Sequence, residues 1–224
     1  DGSSILVDTH RTDKFGDYDK ASNGTITKYF YNSVALKWEH GGTIEKIEKR
    51  LGRDEYLGVG TTMNGDGSVI AFGSPRNGDL DGRVLIYNFP DTVPTQIMTS
   101  EIAGTVFGYR LDLTDDGLRI AISSPTYNYD AEEISFHYAG MIQVFGRNTD
   151  QQDAWSQVGD NIYGRRNADV IGFKYLHLNP LDGKRIFFSA RYQRPPQIRT
   201  GLRAYQFDTS TQKWLEMEID TQQL

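Results

Sequence analysis

The stretch DGLRIAISSP at 116–125 decides the fold, because a tight Asp-Gly turn leads directly into a short strand rich in β-branched residues. Asp-Gly suits the positive φ angles of a hairpin turn, and proline ends a strand because it cannot donate to the sheet. Three similar stretches occur elsewhere in the chain: DGSSILVDT (1–9), DGSVIAFGSP (66–75) and DGKRIFFSA (182–190). The chain therefore contains four copies of one unit.

Further strands surround each of these stretches. A strand rich in aromatic residues follows each one: TITKYFYN (25–32), RVLIYNF (83–89), GMIQVFG (140–146) and GLRAYQF (201–207). A strand containing glycine precedes the last three turns, and Trp38, Trp155 and Trp214 mark a fourth strand in three of the units. Four antiparallel strands per repeat predict an all-β fold, a β-propeller or a segment of one with about four blades.

The predicted propeller segment is a single domain over 1–224, with repeats at approximately 1–48, 49–104, 105–164 and 165–224. Inner strands of a propeller are covered on both faces, which explains their continuous apolar runs. We therefore expect five strand residues to be buried: Ile70, Ile120, Ile122, Ile186 and Phe188. The three tryptophans are expected between blades or at their rim. A short helix over 43–58 is an open alternative, because Ile44, Ile47 and Leu51 have helical spacing.

Composition excludes several classes of function. The 224 residues include no cysteine, which excludes disulfides and thiolate chemistry, and no apolar run approaches the length of a membrane span. Lys and Arg number 24 and Asp and Glu 30, a net charge of −6, so general attraction to nucleic acid or to an anionic membrane is not expected. No direct membrane insertion is predicted.

The third repeat resembles a known family. Phe107-Gly108, LDLTDDGLRIAISSP (111–125) and WSQVGDNIYG (155–164) are similar to FG-GAP-type repeats of integrin-alpha-like β-propellers. The other repeats depart from the motif: the second has Leu57-Gly58 for Phe-Gly, and the fourth has Gly172-Phe173. The resemblance implies an adhesion, scaffold or ligand-binding propeller, extracellular or at the cell surface, and carries only fold-level weight for function.

Closure of such a propeller leaves three alternatives. The first unit shows no strand before Asp1-Gly2, and ten residues follow Trp214. The chain is then a segment of a longer propeller, which we favour, an imperfectly closed ring, or an arc that pairs with another chain. In the last case the incomplete edge blades would support self-association, because an open strand edge is a docking template.

One loop matches part of a calcium-binding pattern. The sequence NGDLDG (77–82) places Asn77, Asp79 and Asp81 in the alternation of an Asp-x-Asp-x-Asp-Gly loop, whose oxygen atoms converge on Ca²⁺. The twelfth position is Asn88 rather than the usual bidentate glutamate. The alternative is a solvated connection rich in turn-forming residues.

Charge is distributed unevenly along the chain. Residues 101–160 hold ten acidic residues and three arginines, whereas 163–204 hold nine basic residues and two aspartates. Four arginines flank Pro195-Pro196 and could present guanidinium groups to an acidic partner: Arg191, Arg194, Arg199 and Arg203. The alternative is that opposite charges of neighbouring blades pair with one another.

The segment PTYNYDAEEISFHYAG (125–140) is the longest insertion between paired strands. It carries Tyr127, Tyr129 and His137 beside acidic residues, a composition suited to binding a protein or stacking on a sugar. The alternative is that this loop covers an adjacent blade.

Motifs of catalysis do not occur: there is no HExxH, GxSxG or Walker loop. The sequence therefore predicts a non-catalytic interaction or scaffold module that binds a protein partner within a larger assembly. The alternative is a carbohydrate-binding or glycan-processing propeller, in which paired carboxylates would act as acid and base. No cofactor is predicted apart from Ca²⁺.

Overall fold

The computed structural model describes residues 4–9, 25–45, 60–75, 82–100, 102, 104–131, 134–150, 154–194 and 197–219. Within these ranges every regular element is a β-strand and none is a helix. In the first half of the chain the strands are β1 (Ser4–Thr9), β2 (Thr25–Asn32), β3 (Lys37–Glu45), β4 (Thr61–Met63), β5 (Val69–Ser74), β6 (Arg83–Asn88) and β7 (Gln96–Thr99).

The second half has the same character. Its strands are β8 (Leu111–Leu113), β9 (Arg119–Ser124), β10 (Tyr129–Ala131), β11 (Ile134–Phe136), β12 (Met141–Asn148), β13 (Ala154–Gln157), β14 (Ile162–Tyr163), β15 (Leu176–Leu178), β16 (Arg185–Arg194), β17 (Gln197–Asp208) and β18 (Lys213–Met217). No helix in the described part of the chain is long and apolar enough to cross a bilayer.

The chain divides into two compact units, residues 1–109 and 110–224. The first unit holds sheet 1, in the order β1-β2-β3, and sheet 2, in the order β4-β5-β6-β7. The second unit holds sheet 3, in the order β13-β12-β9-β8 with β14 also paired to β12, and sheet 4, in the order β15-β16-β17-β18. Antiparallel pairing of strands consecutive in sequence is the organisation of β-propeller blades, so the chain is all-β with sheets of the propeller type.

The Asp-Gly turns form as the sequence predicts. In each of the three described turns the aspartate Oδ1 accepts the N–H two residues ahead, at 2.8 to 2.9 Å, and the glycine has positive φ. The glycine N–H also closes the turn on the carbonyl oxygen three or four residues earlier: Gly67 to Asn64, Gly117 to Thr114 and Gly183 to Asn179. These turns fix the register of the strand that follows each of them.

One cross-strand pair recurs in each of sheets 1 to 4. The isoleucine of the strand after the Asp-Gly turn lies opposite an aromatic residue of the next strand: Ile5 and Tyr29, Ile70 and Tyr87, Ile120 and Phe145, and Ile186 and Tyr205. The five strand residues predicted to be buried are all 0% exposed, so that prediction is confirmed. Burial of each such side chain contributes about 1.5–3 kcal/mol.

Two of these pairs, Ile70 with Tyr87 and Ile186 with Tyr205, lie in the apolar layers between neighbouring sheets. In the first unit Ile70, Phe72 and Tyr87 of sheet 2 pack with Ile26 and Ile44 of sheet 1. In the second unit the equivalent layer joins sheets 3 and 4, and its buried members include Ala121, Val144, Ile186, Phe188 and Trp214. The hydrophobic core of each unit thus lies between its two face-to-face sheets.

The tryptophans differ from one another. Trp214 is buried between sheets 3 and 4, where its Nε1 donates to the carbonyl oxygen of Val158 at 2.9 Å, as expected for a residue between blades. Trp155 is half-buried. Trp38 is 43% exposed and makes an edge contact with Tyr31 of its own sheet, so it does not pack between two sheets of its unit.

The alternative of a helix over 43–58 is wrong at its start, because Thr43–Glu45 form the end of β3. These three residues continue the pairing with β2, with Ile44 opposite Ile26 in the buried face of sheet 1. Pairing across the sheet therefore overrides the helical spacing of the isoleucines. The remainder of that stretch, 46–59, lies outside the described residues.

Candidate functional site

The long insertion in the third repeat forms a short hairpin beside a stack of aromatic rings. The hairpin consists of β10 and β11, in which Tyr129 lies opposite Phe136. The ring of Tyr163, from β14, stacks on Tyr129 with centroids 4.3 Å apart and on Tyr127 with centroids 5.5 Å apart. Tyr129 also lies parallel to Phe136 at 6.4 Å. We call Tyr127, Tyr129, Phe136 and Tyr163 the tyrosine stack.

The backbone around the tyrosine stack is held at both ends. Asn128 Oδ1 accepts the N–H of Tyr138 at 2.8 Å, and Asn167 Oδ1 accepts the N–H of His137 at 2.9 Å. The carbonyl oxygens of the same two residues, His137 and Tyr138, accept the N–H groups of Ala168 at 2.8 Å and Val170 at 3.0 Å. The hairpin is therefore fixed to the loop that opens the fourth repeat.

Side-chain amides form a row that ends at the tyrosine stack. Gln143 Nε2 donates to Gln157 Oε1 at 3.1 Å, Gln157 Nε2 donates to Asn161 Oδ1 at 2.8 Å, and Asn161 Nδ2 donates to the Tyr163 hydroxyl at 2.8 Å. Gln157 is exposed, and Gln143, Asn161 and Tyr163 are half-buried. This amide row gives the surface donors and acceptors without formal charge.

The electrostatics of the stack follow from partial burial. Burial raises the pKa of Tyr127, and the neighbouring Tyr163 and Asp130 raise it further. Asp130 is exposed on the hairpin and accepts a hydrogen bond from the Ser135 hydroxyl. The Tyr127 phenol is thus neutral at neutral pH.

The predicted partner-binding residues fall into two groups. Tyr127 and Tyr129 come together in the tyrosine stack, and the exposed His137 follows directly after β11. The amide row and Tyr163 were not predicted from the sequence as part of the site. Gln157 is nevertheless the glutamine of the motif WSQVG at 155–159, and Tyr163 follows that motif closely. That motif is the signal that could have located them.

The four arginines lie on strands rather than in the expected loop. Arg191 and Arg194 belong to β16, and Arg199 and Arg203 belong to β17. Arg191 is exposed, and the side chains of Arg194 and Arg199 lie outside the described part. Arg203 is opposite Phe188, on the face of sheet 4 that packs on sheet 3, whereas Arg191 is on the other face. The two arginines whose side chains are described, Arg191 and Arg203, therefore lie on opposite faces of sheet 4.

Arg203 is 4% exposed, contrary to its expected position at a binding surface. Its Nε donates to Glu216 Oε1 at 3.1 Å, and its guanidinium group contacts the Tyr205 hydroxyl and lies over the Phe188 ring at 5.7 Å. Glu216 also pairs with Arg165. Arg203 is therefore a core residue, because its position in β17 places its side chain on the buried face of sheet 4.

Acidic residues of the third repeat contact the fourth. Asp112 Oδ2 accepts the Leu178 N–H at 2.7 Å and lies 2.9 Å from His177 Nδ1, while Asp160 Oδ1 accepts the Trp214 N–H at 3.0 Å. Two of these three contacts use backbone N–H donors, and the third pairs Asp112 with a histidine, so they do not test whether opposite charges of neighbouring blades pair.

A cleft of about 480 Å³ lies at the Asp-Gly end of the second unit. Asp116, Asp182, Arg119 and Arg147 line it, so its charges balance. Arg119 Nη1 donates to the Gly183 carbonyl oxygen at 3.1 Å. This hydrogen bond links the strand that follows the Asp116-Gly117 turn to the Asp182-Gly183 turn.

The predicted calcium ligands Asn77, Asp79 and Asp81 lie outside the described residues. Among the residues that are described, no group of three histidine or carboxylate side chains is arranged to hold a metal ion.

Comparisons with known proteins give similarity of fold at low sequence identity. No family model matches the chain, and no curated protein matches it. A crystal structure of TolB from Acinetobacter baumannii is similar over 84% of this chain, with 13% identity and a TM-score of 0.43. Hydrazine synthase from Kuenenia stuttgartiensis is similar over 88%, with 12% identity and a TM-score of 0.45.

A third solved structure, a putative 6-phosphogluconolactonase from Bacteroides fragilis, is similar over 93% of this chain, with 14% identity and a TM-score of 0.47. All three are β-propeller-type folds. The chain spans 39%, 46% and 52% of the lengths of these three proteins.

Proposed function

We propose that this chain is a non-catalytic interaction module that binds a protein partner through the tyrosine stack and the adjoining amide row. The observation that carries the proposal is a four-membered set of aromatic rings at the surface, on a backbone already fixed by hydrogen bonds. Aromatic side chains dominate the energetics of protein interfaces, and a fixed backbone lowers the entropic cost of binding.

The surface chemistry fits a partner that contributes apolar groups and hydrogen bonds. Rings of tyrosine combine apolar area with a polar hydroxyl, and the amides of the row offer both donors and acceptors. His137 and Arg191, both exposed, would add contacts beyond the stack. We retain Arg194 and Arg199 as part of the proposal, on the strength of the sequence alone. The FG-GAP resemblance, which implies a scaffold or adhesion role, is likewise part of the proposal.

The test compares matched tyrosine variants. We expect Tyr129→Ala and Tyr163→Ala to weaken capture of the partner about tenfold or more, as for central aromatic residues of interfaces. Tyr175→Ala is the control, because Tyr175 is 68% exposed in the same unit and does not belong to the stack. Capture from an extract, quantified by mass spectrometry, measures the effect after circular dichroism has shown that each variant is folded. Equal capture by the wild type and the stack variants would refute the proposal.

A carbohydrate ligand is the second candidate, and the amide row beside stacked rings favours it. Sugars stack on aromatic faces and exchange hydrogen bonds with planar amides. A glycan array and a panel of chromogenic glycosides, applied to the wild type and to Gln157→Ala, test it. Binding that Gln157→Ala removes would support a glycan site, and two blank results would eliminate this candidate.

A further inference from the structure

We propose that the tyrosine stack and the amide row bind a proline-rich segment of a partner protein, with a basic residue of that segment beside Asp130. This inference rests on the proposed function, because it names the class of segment that the same surface recognises. Three features of the site lead to it: the hydrogen-bonding groups that remain unused, the parts of the rings that remain accessible, and the charge that lies beside them.

Hydrogen-bond donors remain at the junction of the amide row and the tyrosine stack. Asn161 Nδ2 donates to the Tyr163 hydroxyl oxygen at 2.8 Å, so this phenol uses its acceptor and keeps its O–H to donate. Asn161 Nδ2 also carries a second hydrogen, for which the described residues provide no acceptor. The Gln157 amide, by contrast, donates both of its hydrogens, to the Gly159 carbonyl oxygen and to Asn161 Oδ1. The junction therefore offers two donors side by side, which a carbonyl oxygen with two lone pairs can accept.

Proline supplies this acceptor without bringing a competing donor. Its carbonyl group accepts like that of any residue, whereas its nitrogen carries no hydrogen. An N–H group of the ligand at this junction would face other donors and remain unpaired, at the cost of its hydrogen bond to water. In the polyproline II conformation, moreover, the carbonyl groups make no internal hydrogen bonds and are available to accept. Recognition of such segments by grooves lined with aromatic residues is an established mode of peptide binding.

The stacking of the rings on one another favours a ligand made of small apolar units over a flat sugar ring. Tyr163 stacks on Tyr127 and on Tyr129, and Tyr129 lies parallel to Phe136, so each of the four rings already uses a face on another ring. All four side chains are half-buried. The compact ring of proline can pack against the edges that remain, because aromatic side chains provide a large apolar surface.

A carboxylate beside the stack selects the charge of the segment. Asp130 is exposed, and it lies close enough to Tyr127 to raise the pKa of that phenol. Asp130 accepts a hydrogen bond from the Ser135 hydroxyl, and no lysine, arginine or histidine of the described residues forms an ion pair with it. Glu132 and Glu133, which follow in the sequence, add to the negative charge of the same insertion. A basic residue in the bound segment therefore complements this side of the site and accelerates association.

The experiment uses a fluorescently labelled synthetic peptide in which two Pro-Pro pairs separated by alanine precede an arginine. One control peptide has alanine at every proline position, and a second has glutamine in place of the arginine. Fluorescence anisotropy with the whole chain measures the three affinities. We expect saturable binding of the first peptide and binding of the alanine peptide that is at least about tenfold weaker. The glutamine peptide should bind about threefold more weakly at low salt, and high salt should remove this difference.

Variants of the protein locate the bound peptide. Tyr163→Phe keeps the ring and removes the O–H donor, so we expect about tenfold weaker binding of the proline peptide. Tyr175→Phe is the matched control, because it removes the same group from a tyrosine that is 68% exposed and outside the stack, and its affinity should be that of the wild type. Asp130→Asn should make the arginine and glutamine peptides bind equally. Circular dichroism verifies folding, and the three peptides decide the question with the unaltered protein if Tyr163→Phe does not fold.

Three results would overturn the proposal: equal affinity for the proline and alanine peptides, no binding at about 1 mM, or unchanged affinity in folded Tyr163→Phe. Glycan binding that Tyr163→Phe removes, without any peptide binding, would assign the site to a carbohydrate instead. Self-association that the proline peptide displaces would make a second copy the occupant, through its own Arg194-Pro195-Pro196, and would overturn the assignment to a separate partner. If the peptides fail to bind but Tyr129→Ala still loses a captured partner, the proline-rich segment is wrong and the proposed function stands.

Discussion

Gly73 packs directly against the backbone of Gly108, so that a Cβ atom on Gly73 would overlap the Gly108 carbonyl oxygen. Gly73 belongs to β5 and is fully buried, and Gly108 follows the buried Phe107 of the Phe-Gly dipeptide. The glycine of that dipeptide, with φ of 88°, thus allows two stretches of backbone in the first unit to approach each other closely.

Substitution of Gly73 should therefore be costly. We expect Gly73→Ala to lower the free energy of unfolding by about 2 kcal/mol or more, because backbone must move to accommodate the methyl group. Gly104→Ala is the control for steric overlap, since a methyl group added at Gly104 would meet no atom within 4 Å, although Gly104, unlike Gly73, has positive φ. Its cost should be limited to about 1 kcal/mol of backbone strain. Urea denaturation of both variants measures the difference, and equal losses would contradict this account of Gly73.

Trp214 should contribute more to stability than Trp155. Trp214→Phe removes the hydrogen bond to Val158 and leaves that carbonyl oxygen facing a cavity, at an expected cost of about 1–3 kcal/mol. The half-buried Trp155 makes a suitable control, and Trp155→Phe should cost less than about 1 kcal/mol. Thermal denaturation distinguishes the two variants, and the opposite ranking would show that Trp214 is not a principal element of the layer between sheets 3 and 4.

Asp112 should make stability depend on pH in an unusual direction. Burial raises the pKa of Asp112 above its ordinary 3.8, and hydrogen bonds from Leu178 and His177 only partly offset this effect. Because the native state then holds the proton more tightly than the unfolded state, the contribution of Asp112 to the free energy of unfolding is present below the unfolded pKa. It is lost as pH rises through the folded pKa.

Asp112→Asn, which keeps an acceptor for the Leu178 N–H, should therefore gain stability relative to the wild type as pH rises from about 3 to about 7. Asp208→Asn is a control of opposite sign, because hydrogen bonds from Thr211 and Ser210 lower the pKa of Asp208. That variant should lose stability relative to the wild type at the acid end of the range, as pH rises from below the folded pKa of Asp208 to about pH 5. Urea titrations at several pH values provide the test, and parallel pH profiles for all three proteins would contradict both assignments.

Calcium binding by the loop at 77–82 is a prediction of the sequence pattern alone. If the loop binds Ca²⁺, addition of Ca²⁺ raises the melting temperature and a chelator reverses the rise, because a ligand that binds only the native state stabilises it. Asp79→Asn and Asp81→Asn should abolish the shift, and Asp91→Asn, at an exposed residue after β6, should preserve it. A melting temperature independent of Ca²⁺ would eliminate the site.

The sequence predicts those parts of the structure that depend on local chemistry. The Asp-Gly turns, the strands that follow them and the burial of Ile70 and Ile186 depend on turn geometry and apolar runs, and they are present as expected. The inward position of Arg203 depends instead on its register opposite Phe188, which composition does not reveal. The exposure of Trp38 likewise depends on what covers the face of sheet 1, a matter of neighbouring sheets rather than of its own strand.

The candidate site was predictable only in part for a similar reason. Tyr127 and Tyr129 stand out because they are concentrated in one loop. Gln143 and Tyr163 come from different strands, and only pairing across sheet 3 brings their side chains into one row. The sequence of any one segment therefore does not reveal this row, because it depends on which strands pair in sheet 3.

The hydrogen bonds that anchor the hairpin use backbone N–H groups, whereas the proposed binding surface consists of side chains. Asn128 and Asn167 hold the two ends of the hairpin through backbone N–H groups, and these bonds do not depend on which side chains β10 and β11 carry. Substitutions along the hairpin can accordingly accumulate with little loss of fold. If the tyrosine stack binds a partner as proposed, related chains could exchange one partner for another by changing a few aromatic residues of the hairpin.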